Sequence, residues 1–114
     1  MCVSLDCIFC KILEGKIPSN KAYEDENVFA FHDIHPLALG HVLFVHRQHS
    51  SNVNSMEPSH IAEIFESIRK FTQGTEWEKQ GFRVVTNLGP NAGQTVFHTH
   101  FHVLGLEKLG GFGK

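Results

Sequence analysis

The stretch His98-Thr99-His100-Phe101-His102-Val103-Leu104 places a histidine at every second position. On an extended strand a period of two sends all three imidazoles to one face, roughly 7 Å apart in succession, with Thr99, Phe101 and Val103 facing the other way. On a helix, at about 100° per residue, His98 and His102 share a side and His100 swings away. Val96 to Leu104 is rich in β-branched and aromatic residues, so a strand is expected. Aligned imidazoles can chelate a metal, act as nucleophile and acid–base around a phosphate or acyl centre, or line a wet sheet face. Three on one face repel one another when protonated, which weighs against the last reading.

Just upstream, Gly89-Pro90-Asn91-Ala92-Gly93-Gln94-Thr95 offers backbone N–H groups free of side-chain obstruction, with an amide and a hydroxyl added. Those groups suit phosphate oxygens. A phosphate held there lies within reach of a neutral imidazole, which could form a phosphorylated or nucleotidylated histidine that water later hydrolyses.

Further out, periodicity sets the frame. Ile8, Phe9, Ile12 and Leu13 recur at helical spacing until Gly15 and Pro18, predicting a short helix over Cys7 to Leu13. Ala22 to Glu24 and Val28 to His32 flank Asp25-Glu26-Asn27 as a hairpin. His35 to Gly40 carries two breakers and leads into His41 to His46, an apolar run that suits a central strand covered on both faces. Ile61, Ile64, Phe65, Ile68 and Phe71 form an amphipathic stripe, opened by Pro58 and closed by Gly74, which is the main helix. Phe82 to Thr86 is a further strand. The order predicts an α+β fold, with a mostly antiparallel five-stranded sheet, one main helix and one short helix.

With 114 residues, 41% of them hydrophobic, the chain is expected to be a single domain over 1–114, with Gly110 to Lys114 as a Gly-rich tail. A formal charge of −2 argues against a nucleic-acid partner. No run nears the roughly 18 apolar residues of a membrane span, and the N-terminus lacks a signal-peptide pattern. A soluble cytoplasmic chain is expected, with the nucleus left open. Cys2, Cys7 and Cys10 crowd the first ten residues, a poor disulfide framework that points to a reducing compartment. Cys7-Ile8-Phe9-Cys10 has C-x₂-C spacing, open among zinc, redox chemistry and two partly buried thiols on the first helix.

Gln94-Thr95-Val96-Phe97-His98-Thr99-His100-Phe101-His102-Val103-Leu104 closely resembles the signature of the histidine triad (HIT) family, in which histidines alternate with apolar residues after Gly-Gln-Ser/Thr-Val. Cys-Ile-Phe-Cys-Lys-Ile, Ala30 to Ile34, Pro36 to His49 and Arg83 to Asn87 resemble the Hint-like branch, so the likeness runs from Cys7 to about Gly105. The resemblance implies a nucleotide-binding hydrolase, a phosphoramidase that cleaves the P–N bond of purine nucleoside phosphoramidates such as AMP-amine conjugates. His100 is the implied nucleophile, carrying a covalent AMP, with His102 on the phosphate and His98 supporting the cluster. Asp33 is implied on the ribose, Phe31 and Ile34 beside the purine, and Asn87 near the phosphate. Gln94 and Thr95 are implied on the phosphate or leaving group, within the segment Gly93 to Val96. No cofactor is implied for catalysis. A structural zinc is implied on Cys7, Cys10, His49 and His98, and a homodimer with the main helix at its interface. The alternatives are a diadenosine polyphosphate hydrolase and a nucleotide-binding interaction module with vestigial activity.

The chain departs from the pattern at Thr99, at an apolar position, and at His46, where relatives often have Pro. Gly105-Leu106-Glu107 replaces the usual Gly-Gly-Arg, and the final Gly-Gly-Phe-Gly-Lys lacks the Trp found near the C-terminus of some Hint proteins, where it helps shape the leaving-group side.

Overall fold

The computed structural model describes residues 7–111; Cys2 and positions 112–114 of the Gly-rich tail lie outside them. Cys7 caps a short helix, α1 (Ile8–Leu13), by accepting the Cys10 N–H at its sulfur. Strands β1 (Lys21–Glu24) and β2 (Val28–His32) form the expected hairpin, closed by the Asp25 carboxylate, which accepts the N–H groups of Asn27 and Val28 at 2.8 Å each. Then follow β3 (Gly40–His46), α2 (Pro58–Thr72), α3 (Glu76–Gln80), β4 (Phe82–Val85) and β5 (His100–Gly105). The five strands make one antiparallel sheet in the order β1-β2-β3-β5-β4.

Alternation along the strands divides the molecule. Val28 and Ala30 of β2, Val42 and Phe44 of β3, and Phe101 and Val103 of β5 meet Ile64 and Ile68 of α2 in the larger core. Residues of the opposite parity, Phe31, Leu43 and Val45, meet Phe9 and Cys10 of α1 in a smaller cluster on the other face. All seven residues of β3 are buried, as its central place demands. The face away from α2 is therefore only partly covered, and there His100 and His102 emerge.

Two features differ from the sequence expectation. A third helix, α3, is capped by the Thr75 hydroxyl on the Trp77 N–H and buries Trp77. Five residues are too few for an apolar period to show. Its indole lies over Gly40 and Gly105, partners across β3 and β5; a Cβ on Gly40 would stand 2.5 Å from the ring. The second difference concerns the strand expected over Val96 to Leu104. It begins only at His100, whose partner Val45 is the penultimate residue of β3, so the sheet has almost no edge left to pair with residues 96–99. That segment is instead tied to the 50–51 segment: Thr99 N–H donates to the Ser50 carbonyl at 2.8 Å, and the Thr99 and Ser50 hydroxyls bond at 2.7 Å.

Candidate active site

Because β5 starts at His100, the three histidines separate into two settings. His100 and His102 share the open face of the sheet, with ring centroids 5.0 Å apart. His98, before the strand, turns inward and is 1% exposed. The expectation of three imidazoles on one strand face is corrected to two, with the third in the interior.

Each ring's tautomer follows from its partners, since a carbonyl only accepts and an amide only donates. The Nδ1 of His100 lies 2.9 Å from the His98 carbonyl, so it carries the proton and Nε2 keeps its lone pair. His41, at the start of β3, accepts the Leu37 N–H at Nδ1 (3.1 Å), so its own proton sits on Nε2. That Nε2 stands 2.9 Å from His102 Nδ1 and 3.5 Å from Asp33 Oδ2. His102 therefore accepts at Nδ1 and carries its proton on Nε2. Burial, helped by the neighbouring His100 and His41 rings, pushes the His102 pKa down to about 4, and burial likewise lowers that of His41. At neutral pH His102 is an uncharged imidazole with Nε2–H as a donor.

The two rings stand in a cleft of about 410 Å³ between α1 and the end of β2. Of the sequence-predicted residues, Phe31, Asp33, Ile34, Thr95, Val96, His100 and His102 line it together. Asn87, Gly93 and Gln94 are not among the lining residues. Gln94 is buried, and its carboxamide is spent on the chain itself: it donates to the carbonyls of Ser51 (2.7 Å) and Val96 (3.2 Å) and accepts the Gly89 N–H (3.0 Å). It shapes the loop, which carries a 3₁₀ turn at Pro90–Ala92, and offers no spare amide group there. Asn87 follows β4, half-buried.

The sequence reading passed over two residues. Phe9 packs edge-on against the His100 ring at 5.1 Å and against Phe31 at 5.5 Å, making α1 a wall of the cleft. His41 was read only as the first residue of an apolar run. Its signal was parity: across β3 and β5, Leu43 opposes His102, so His41 lies on the same face two residues away.

His98 meets a different set of groups. Its Nε2–H donates to the His46 carbonyl (3.1 Å), leaving Nδ1 unprotonated. That Nδ1 lies 3.3 Å from Cys7 Sγ, 3.6 Å from Cys10 Sγ and 3.1 Å from His49 Nδ1, and Cys10 Sγ is 3.4 Å from His49 Nδ1. Burial pushes the His98 pKa down to about 4, so the ring is neutral. Zinc bonds of about 2.0–2.3 Å in a tetrahedron require ligand atoms roughly 3.3–3.8 Å apart. Three of the four separations fall in that range and the His49–His98 pair, at 3.1 Å, lies just below it; all four ligand atoms lie within 4.8 Å of one another. The outward Nε2–H on a carbonyl is the support a zinc-bound histidine needs. Cys7 is a free thiol, and a zinc would take both sulfurs as thiolates. A second hollow, of about 430 Å³ and lined by Cys7, His49 and Phe97 among others, adjoins this cluster.

Residues 14–109 match the HIT domain. The chain belongs to the HIT family. It is 40% identical over 111 residues to "Protein hit" of Bacillus subtilis, spanning 95% of this chain and 77% of that one. It is 35% identical over 104 residues to the adenosine 5'-monophosphoramidase HNT1 of Candida albicans, spanning 86% of this chain and 68% of the relative. Among solved structures, a histidine triad protein from Clostridium difficile superposes with a TM-score of 0.91 at 37% identity, covering 98% of this chain and all of that one. The antiparallel sheet of this HIT protein is thus the family's fold. Among the described residues no helix is long and apolar enough to cross a membrane.

Proposed function

We propose that this HIT protein is a single-domain nucleoside phosphoramidase that hydrolyses the P–N bond joining a purine nucleoside monophosphate to an amine. The observation that carries the reading is the His100 ring: its Nδ1–H is held by the His98 carbonyl, and its Nε2 lone pair is left as a nucleophile in a cleft of nucleotide scale. His100 Nε2 attacks phosphorus, the P–N bond breaks, and the amine leaves with the electron pair and takes a proton from water. The N–P bond to His100 is then hydrolysed, releasing the nucleoside monophosphate and restoring the imidazole. His102 donates from Nε2 to a phosphate oxygen as charge gathers there. Asp33 takes the ribose hydroxyls, Phe31 and Ile34 flank the base, and Thr95 and Val96, which line the same cleft, face the phosphate side. The relative from Candida albicans bears the name of this activity.

The Cys7, Cys10, His49 and His98 set would hold a structural zinc, which supplies a cross-link between α1 and the segments before β5 and after β3. Chelation of zinc-loaded protein is expected to lower the thermal midpoint and leave the chemistry to His100. A homodimer joined through α2 accompanies the reading, and sedimentation velocity checks it.

The deciding experiment incubates the protein with a fluorogenic AMP-lysine-type phosphoramidate and, in parallel, with diadenosine polyphosphates, then acid-quenches with labelled substrate. Turnover of the phosphoramidate, with label on wild type and none on His100→Gly, is expected. Faster turnover of the dinucleotide would make the chain a polyphosphate hydrolase. Equal residual rates in wild type and His100→Ala would leave a binding module.

A further inference from the structure

The loop between β2 and β3 brings Asp33 and Ile34 to the cleft, so its placement decides how a nucleotide meets them. Packing holds little of it. Ile34, Leu37 and Leu39 are 84%, 81% and 77% exposed, and of residues 34–39 only Ala38 is buried. Most of its hydrogen bonds are local: the His35 N–H donates to Asp33 Oδ1, and the Leu37 N–H to His41 Nδ1. Among the described residues, one bond ties residues 34–39 to a part of the chain distant in sequence. The Leu39 N–H donates to Glu107 Oε2 at 2.7 Å.

Glu107 reaches that amide because of the way the chain leaves β5. In an extended chain successive side chains point to opposite faces, so residues 106 and 107 could not both address one place. Leu106 has a φ of 65°, and among the described residues it is the only non-glycine with a positive value. That conformation is unfavourable for a leucine, whose Cβ crowds the following carbonyl oxygen, and such strain persists only where the surroundings impose it. With the chain turned there, Leu106 lies over Gly40, where an added Cβ would stand 2.9 Å from its Cγ and Cδ1, while the Glu107 carboxylate meets Leu39. Two successive residues after β5 thus grip two successive residues at the far end of the loop. Packing of Leu106 onto the larger core, which includes Trp77, offsets the backbone strain. The family pattern of Gly-Gly-Arg has neither half of this grip: glycine has no side chain to pack, and arginine carries donors only and cannot accept an N–H.

We propose that Glu107 is a positioning residue that holds the loop from Asp33 to Leu39 at the cleft and thereby sets ribose recognition and nucleotide affinity. The inference rests on the reading of Asp33 and Ile34 as ribose and base contacts given above. The near end of the loop is fixed by the Asp33 N–H on the His41 carbonyl at 3.0 Å, but the Asp33 carboxylate is oriented from within the loop, by the His35 N–H. Without Glu107 the Leu39 N–H turns to water, and the exposed segment that orients Asp33 and carries Ile34 loses its far anchor. A ligand must then order the loop as it binds, which weakens affinity and leaves the chemistry at His100 untouched.

The test uses the full-length protein, with AMP and 2′,3′-dideoxy-AMP affinities by calorimetry, steady-state kinetics on the AMP phosphoramidate, and hydrogen exchange at the Leu39 amide. Wild type is expected to prefer AMP over the dideoxy nucleotide. Glu107→Ala should bind AMP about 3- to 10-fold more weakly, with KM raised by a similar factor and kcat within about twofold. Its preference for AMP should shrink, and its Leu39 amide should exchange faster. Glu107→Gln keeps an acceptor oxygen and should restore affinity, preference and slow exchange. Glu107→Arg, the residue type of the family pattern, should behave as Glu107→Ala does. Unchanged AMP affinity in Glu107→Ala, a loss confined to kcat, or a glutamine that fails to rescue overturns the proposal. If wild type binds AMP but hydrolyses no phosphoramidate, the phosphoramidase reading falls, while the affinities still judge the role of Glu107. Wild type that binds no AMP overturns both.

Discussion

His98 and His100 are two residues apart in one signature, yet they occupy opposite physical situations. His98 is in the interior, facing two sulfurs and another imidazole; His100 stands at the edge of an open cleft. The division falls at the first residue of β5. Residues within the strand obey the alternation of the sheet, whereas the residues before it follow tethers to the 50–51 segment. The two settings are nonetheless connected, because the carbonyl of the buried histidine holds the Nδ1–H of the open one. The same residue type thus serves packing and candidate chemistry, and the environment selects which.

The largest expected contrast is in turnover. His100→Ala should lower phosphoramidate hydrolysis by roughly 10⁴-fold or more, as loss of a covalent nucleophile does, with a urea midpoint close to wild type. A rate within tenfold of wild type would remove His100 from the chemistry. The opposite pattern is expected of His98→Ala. Emptying a fully buried site and leaving the His46 carbonyl without its donor should cost about 2–4 kcal/mol of stability by chemical denaturation. If that variant unfolds like wild type, the interior role assigned to His98 is wrong.

A pH titration sharpens the comparison from the other side. The folded His102 pKa is about 4, while an unfolded histidine takes its proton near 6.5. The unfolded chain therefore binds more protons between these values, and stability falls as pH drops from about 6.5 to about 4, with this contribution fully present above 6.5. His102→Gln should reduce that dependence in urea unfolding measured across the window, with the buried His98 supplying a similar remaining share; an unchanged slope would place the proton uptake elsewhere. The smallest effect expected is at the junction itself. Thr99→Val keeps the shape and strands the Ser50 hydroxyl, and should cost about 0.5–1.5 kcal/mol while leaving KM alone.

Much of this molecule was legible in its residues. The apolar stripe at Ile61, Ile64 and Ile68, the run from Val42 to Val45, and the hairpin around Asp25 are local patterns, and each became the element its period demanded. The cleft residues Phe31, Asp33 and Ile34 came from likeness to a family, since nothing in their spacing marks a ribose or a purine site. Gln94 shows where motif and geometry differ: its place in the signature suggests a phosphate contact, while its carboxamide closes the loop. Trp77 went unread because its helix is one turn long, and its burial depends on two glycines far from it in sequence.

By itself the sequence determined the alternating faces of the strands, the amphipathic helix that covers one of them, and the histidines and cysteines available for chemistry. Those are consequences of period and residue type, which act over a few neighbours. Only the tertiary structure decided where β5 begins, and with it which histidine is buried, which nitrogen of each ring keeps its proton, and that His41 touches His102. A strand's first residue is set by the partner edge available to pair with it. A tautomer is set by whether a donor or an acceptor lies opposite, and here those groups come from segments as far apart as 61 positions.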